Sequence, residues 1–181
     1  MKPKGDIMKN KQFLNKLENF NACNDAVEWV NGQDFKTAWD TCERADWMLW
    51  YICRAKISTQ KERIHIICDC ATTALKYVPK GEDRPRLAIE AARKYADNPT
   101  EKNKRAAAYA AYAADAAYAA DAAYAAAHAA DAANAANAAA YAAYVANAAA
   151  YAAYAANAAN ADTKKKAHIK MCNMIREKIK I

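Results

Sequence analysis

Three groupings of residues in this chain carry side chains that could do chemistry. His65-x-x-Cys68-x-Cys70 puts one imidazole and two thiols within a single short stretch. On a helix His65 and Cys68, three residues apart, would share a face and could both point at one metal ion. Asp46, Asp69, Asp83 and Arg84 supply carboxylates and a guanidinium, the parts of an acid–base site or of a structural ion-pair network. His128 and His168 are the remaining imidazoles.

Each grouping falls short of a recognisable site. Cys68-x-Cys70 lacks the two-residue gap of zinc knuckles and redox motifs, and no second pair completes a tetrahedral set. The other cysteines, Cys23, Cys42, Cys53 and Cys172, are scattered. With no secretory signal at the start, all six are expected to be reduced thiols in a cytoplasmic protein, packed as small hydrophobes. No sequence context pairs a histidine with a nucleophile. The glycines Gly5, Gly32 and Gly81 are isolated, so there is no phosphate-cradling loop. The expectation is a protein that is not an enzyme, with no catalytic residue, no metal and no cofactor. Asp46, Asp69, Asp83 and Arg84 are expected to form a structural polar network, with Asp46 and Arg84 as its ion pair.

The elements that would position these groups read as helices. Three glycines and four prolines in 181 residues leave little punctuation for a strand-rich fold. Phe13, Leu14, Leu17 and Phe20 form one apolar edge. Asn24 is placed to cap a helix over 25–30, which Asn31-Gly32 ends. A longer helix is predicted over 35–56, where Trp39, Cys42, Asp46, Trp50 and Cys53 fall on one stripe about 80° wide. Asp46 sits in the middle of that stripe and needs a cationic or donor partner if buried. Ser58 or Thr59 caps the next helix, with Ile64, Ile67, Ala71, Ala74 and Val78 as its seam, and Pro79-Lys80-Gly81 breaks it. Asp83-Arg84-Pro85 opens another, stopped by Asn98-Pro99-Thr100.

Composition divides the chain further. Residues 1–105 form a helical globular region with net charge +5, residues 106–161 an alanine-rich tract at −3, and residues 162–181 a basic amphipathic helix at +5, together the +7 of the whole. Asp115, Asp121 and Asp131 interrupt the tract, and a carboxylate at a bilayer centre costs roughly 2.5–3.5 kcal/mol, so a membrane span is rejected. Alanine is the best helix former. The Tyr, Asp, Asn and His residues recur every three or four positions, at a mean of about 3.2, so their stripe winds around the helix. The tract is therefore expected to turn near Asn134–Asn137 and again near 161–163, giving an Ala/Tyr-rich hairpin or arm on an all-α helical bundle. In the last segment Ile169, Cys172, Ile175 and Ile179 share a face, expected to pack as the final helix.

Residues 38–54 (AWDTCERADWMLWYICR) and 68–97 (CDCATTALKYVPKGEDRPRLAIEAARKYAD) resemble a family of immunity proteins of bacteria and phages, like the fifth class of polymorphic-toxin immunity proteins. The most specific elements are Arg44-Ala45-Asp46-Trp47, Cys68-Asp69-Cys70-Ala71 and Asp83-Arg84-Pro85, and the likeness extends over roughly 35–161. It implies an all-α fold and neutralisation of a toxin by binding. Where the family carries charged residues, often Arg, in its alanine tract, this sequence has Tyr and Asn.

The function expected is thus inhibitory binding of a protein partner, either a toxin or, for a phage-borne relative, a host defence enzyme as an anti-CRISPR would. Tyrosine is a low-entropy contact residue, and Tyr118, Tyr124, Tyr141, Tyr144, Tyr151 and Tyr154 are the expected binding residues. The alternative is a nucleic-acid-binding accessory protein using the basic N- and C-terminal regions. No membrane partner is expected.

Overall fold

A computed structural model describes residues 10–78, 80–115 and 161–181. The fold is all-α, with no strand among the described residues. Its helices are α1 (Asn10–Asn19), α2 (Asn24–Val30), α3 (Phe35–Thr41), α4 (Ala45–Ala55), α5 (Gln60–Thr72), α6 (Arg84–Asp97), α7 (Glu101–Asp115) and α8 (Ala161–Lys178). A 3-10 turn, Leu75–Tyr77, follows α5. The chain divides into two compact units, residues 1–42 with Ile181, and Glu43–Lys180. That division does not follow the composition borders, since α7 runs across residue 105. The expected turn at Asn134–Asn137, and most of the alanine tract, lie outside the described residues.

The first unit is held by aromatic packing and amide hydrogen bonds. Phe13 meets Phe35 edge-on at 5.1 Å between ring centres, and Phe35 lies 6.1 Å from Trp39. Val30 and Leu17 are buried with them. Asn10 donates its side-chain amide to the Gln33 carbonyl at 2.7 Å, and Gln33 in turn donates to the Trp29 carbonyl at 2.6 Å. Helix α2 ends at Asn31, and Gly32 takes φ +88°, as the Asn-Gly pair predicts. Its first residue is Asn24 itself, with Cys23 in the capping position and no side-chain cap.

The second unit is built on three packed faces. Helix α5 opens with a complete capping box, Thr59 accepting from the Glu62 amide and Glu62 from the Thr59 amide. Its buried residues Ile64, Ile67, Cys68 and Ala71 pack toward α6, which begins with Pro85 in its first turn and buries Ala88, Ile89, Ala92 and Ala96. Helix α7 packs against α6 through Asn103, Ala107 and Ala111, spaced every four residues. Small side chains on both sides allow close approach. Thr100 starts α7 by accepting from the Asn103 amide at 3.2 Å, while the buried Asn103 side chain donates to the Asn98 carbonyl at 2.7 Å. Helix α8 then packs on α4 and α5, burying His168, Met171, Cys172 and Ile175, with Ile179 buried just beyond its end.

Four sequence expectations need correction. The helix predicted over 35–56 is two helices, because Cys42 (ψ 125°) and Arg44 (ψ 95°) are extended. Arg44 forks onto Asp46, two residues on. Residues two apart do not face each other on a helix, so this pair requires Arg44 to lie outside it. Helix α5 ends at Thr72, short of Val78. There the hydroxyls of Thr72 and Thr73 donate to the Cys68 and Cys70 carbonyls, both at 2.7 Å, and the chain tightens into i−3 bonds. Ala161, Asp162 and Thr163 are helical, not a turn. On α8 the buried face includes His168 and Met171, and Ile169 lies half-exposed beside it.

Five cysteines are buried and Cys23 is exposed, with all six free. Native protein should therefore show one rapidly reacting thiol toward a disulfide reagent, and six after denaturation. Two or more rapid thiols in the native state would contradict this packing.

Candidate functional site

The polar groups singled out from the sequence do not gather into one site. Asp46 stands in the first turn of α4, where the helix dipole favours a carboxylate. It is buried, and both oxygens accept from Arg44, at 2.9 Å from Nε and 2.6 Å from NH2. The Arg44 guanidinium also lies over the Trp47 ring, 4.5 Å from its centre. Across from them on α8, His168 brings Nδ1 to 3.8 Å from Asp46 Oδ1, too long for a hydrogen bond. That nitrogen is buried with no hydrogen-bond partner. Burial drives the His168 pKa below its ordinary 6.5, assisted by Arg44 and Lys164 and opposed by Asp46. Lys165 and Glu43, both exposed, pair at 2.9 Å at this same end of α8.

Arg84, expected on Asp46, binds Glu82 instead. Its neighbour Asp83 pairs with Arg86, which also reaches Glu90 at 2.6 Å. These are local pairs at the start of α6, exposed except for the half-buried Glu82. Asp69 on α5 receives Arg93 of α6 at 2.6 Å and Lys178 of α8. Burial raises the Asp69 pKa, but the hydrogen bonds from Lys178 and Arg93 outweigh it and hold the carboxyl below its usual range. One side chain thereby ties three helices.

The histidine–cysteine grouping separates as well. His65 Nε2 lies 3.0 Å from Asp97, which also pairs with Lys61 at 2.8 Å. Cys68 is buried and directs its thiol to the Ile89 carbonyl. Burial raises the pKa of Cys53, Cys68 and Cys70 to about 12 each, so at neutral pH they are thiols and not nucleophiles. Among the described residues no group of three or more His, Cys, Asp or Glu side chains is placed to hold a metal ion. No described helix is long and apolar enough to cross a membrane.

The second unit also carries exposed groups on its outer surface. Helix α7 turns Ala107 and Ala111 inward and leaves Tyr109 73% exposed, the most open large apolar side chain among the described residues. Lys102 and Arg105 are exposed beside it. Along the outer side of α8 runs a groove of about 440 Å³ lined by Lys166, Ile169, Lys170, Asn173, Met174 and Glu177. Tyr118, Tyr124, Tyr141, Tyr144, Tyr151 and Tyr154 lie outside the described residues. Two features escaped the sequence reading. The role of His168 was legible, since 168, 171/172, 175 and 179 carry the spacing of a buried helical stripe. The Lys102, Arg105, Tyr109 spacing of three and four was legible too.

Two measurements check this geometry. Replacing Asp46 by Asn should lower unfolding free energy by about 1–2 kcal/mol in urea, because the abandoned Arg44 side chain is 46% exposed and rehydrates. A loss beyond about 3 kcal/mol would instead indicate a buried uncompensated charge. The His168 pKa is lower in the fold than in the unfolded chain, so the fold binds fewer protons and is favoured above that unfolded value. Stability should therefore fall as pH drops from roughly 7.5 to 5.5, and His168→Gln should flatten that slope. Equal slopes for the two proteins would contradict the burial of a neutral imidazole.

Comparison of the chain with protein-family models, curated proteins and solved structures returns no match, so the chemistry of these side chains is what the site has to speak for it.

Proposed function

We propose that the chain is a non-enzymatic binding protein that neutralises a protein partner by occupying its surface. The partner is a toxin, if the chain confers immunity, or a host defence enzyme, if it acts as a phage-borne inhibitor of the anti-CRISPR kind. One observation carries the proposal. Helix α7 enters the alanine tract with alanines sealing its inner face and a tyrosine standing free on the outer one. Tyr109 is the first of a series of tyrosines that the sequence repeats through the tract, including Tyr118, Tyr124, Tyr141, Tyr144, Tyr151 and Tyr154. Rigid aromatic groups on a scaffold of small residues give contact area at little entropic cost. The resemblance of residues 38–54 and 68–97 to immunity proteins supports the same reading. So does the chemistry of the described histidines and buried cysteines, which serve packing and ion pairing.

The experiment is affinity capture of the full chain from a lysate of its host, followed by identification of what is retained. A single stoichiometric protein is expected. Tyr109→Ala, Tyr141→Ala, Tyr144→Ala, Tyr151→Ala and Tyr154→Ala should each weaken that complex, those at hot spots by about 2 kcal/mol. Helicity by circular dichroism should not fall, since alanine is the better helix former. Capture of nucleic acid alone, with an affinity that collapses as salt rises, would replace this reading with the basic-end alternative.

A further inference from the structure

The outer face of α7 carries more than its tyrosine. Lys102, Arg105 and Tyr109 follow one another at three and four residues, which places them within an arc of about 60° on the helix. The buried residues Asn103, Ala107 and Ala111 lie on the opposite side, about 160–170° away. All three outer residues are exposed. On α7 Lys104 pairs with Glu101, and Lys102 and Arg105 have no ion pair among the described residues. Elsewhere in this unit Arg84 is engaged by Glu82, Arg86 by Glu90, Lys165 by Glu43 and Lys178 by Asp69, while Lys94, Lys166 and Lys170 are exposed with no ion pair among the described residues, so the stripe is set apart by the open tyrosine beside its two cations.

We propose that this stripe is a docking surface for an acidic segment of the protein partner, with carboxylates on Lys102 and Arg105 and an apolar or aromatic side chain against Tyr109. The inference rests on the binding-protein reading above and names the chemistry of that partner. Arginine and tyrosine are the residues that most often carry interface energy, and a guanidinium takes a carboxylate bidentately. Nucleic acid fits less well. Two cations would neutralise only about two phosphates, a small electrostatic contribution to binding.

The probe is a fluorescein-labelled peptide rich in Asp and Glu with interspersed leucines, titrated with the full chain and followed by anisotropy. Duplex DNA is the second probe. Arg105→Glu should weaken peptide binding roughly tenfold or more, and Tyr109→Ala by several-fold. Lys170→Glu, an equal change of net charge on α8, should alter it less than twofold. Both sites are exposed, and circular dichroism verifies that each variant is folded. Equal losses in Arg105→Glu and Lys170→Glu would overturn the proposal, because net charge alone would then explain the binding. Tighter binding of DNA than of peptide would overturn it as well, as would no peptide binding by the parent. A captured partner indifferent to Arg105→Glu would sink the acidic docking surface while leaving the binding-protein reading in place. Failure to capture any partner bears on that reading and not on the peptide result.

Discussion

Closure of α8 over α4 and α5 is the constraint on which the larger unit depends. Helix α4 buries Asp46, Met48, Leu49, Ile52 and Cys53, and α5 buries Ile64, Ile67, Cys68 and Cys70. Met171, Cys172 and Ile175 of α8 are fully buried. At roughly 1.5–3 kcal/mol for each large apolar side chain, this seam outweighs any single ion pair in the unit. A helix arriving from the far end of the sequence thus completes a core begun by residues some hundred positions earlier. The entropic cost of closing such a long loop grows only slowly with its length, so the connection is tolerable.

The apolar seam sets direction poorly, and charges at its two ends supply what it lacks. Near the start of α8, Lys165 meets Glu43 and His168 faces Asp46; near its end, Lys178 reaches Asp69. His168 and Lys178 are ten residues apart, about 15 Å along the helix. Carboxylates from α4 and α5 therefore meet α8 at both ends, and a shift by one turn would break both sets of contacts. Asp69 adds Arg93 and so links α6 to the same arrangement. These side chains are engaged inside the unit, and burial holds the thiols of Cys53, Cys68 and Cys70 protonated, whereas the outer face of α7 is exposed.

Local signals were legible in the sequence wherever their physics is local. Thr59 with Glu62, Asn31-Gly32, and Pro85 in the first turn of α6 each act within a few residues, and each does what its type predicts. The break between α3 and α4 was not legible, because the periodicity of Trp39, Cys42, Asp46, Trp50 and Cys53 runs straight through it. The fork from Arg44 to Asp46 leaves no mark on hydrophobic spacing. Partner choice failed for a related reason. That Asp46 is buried and needs a cation followed from its neighbours, but Arg44 and not Arg84 supplies it, and only packing decides between them.

Native-state hydrogen exchange tests the dependence on α8 most directly. If α8 closes the core, the amides of α4, α5 and α8 should exchange through one cooperative opening, with the same free energy and the same sensitivity to urea. Amides of α8 that open at far lower free energy, while α4 and α5 stay protected, would show that the core stands without it and would contradict the account.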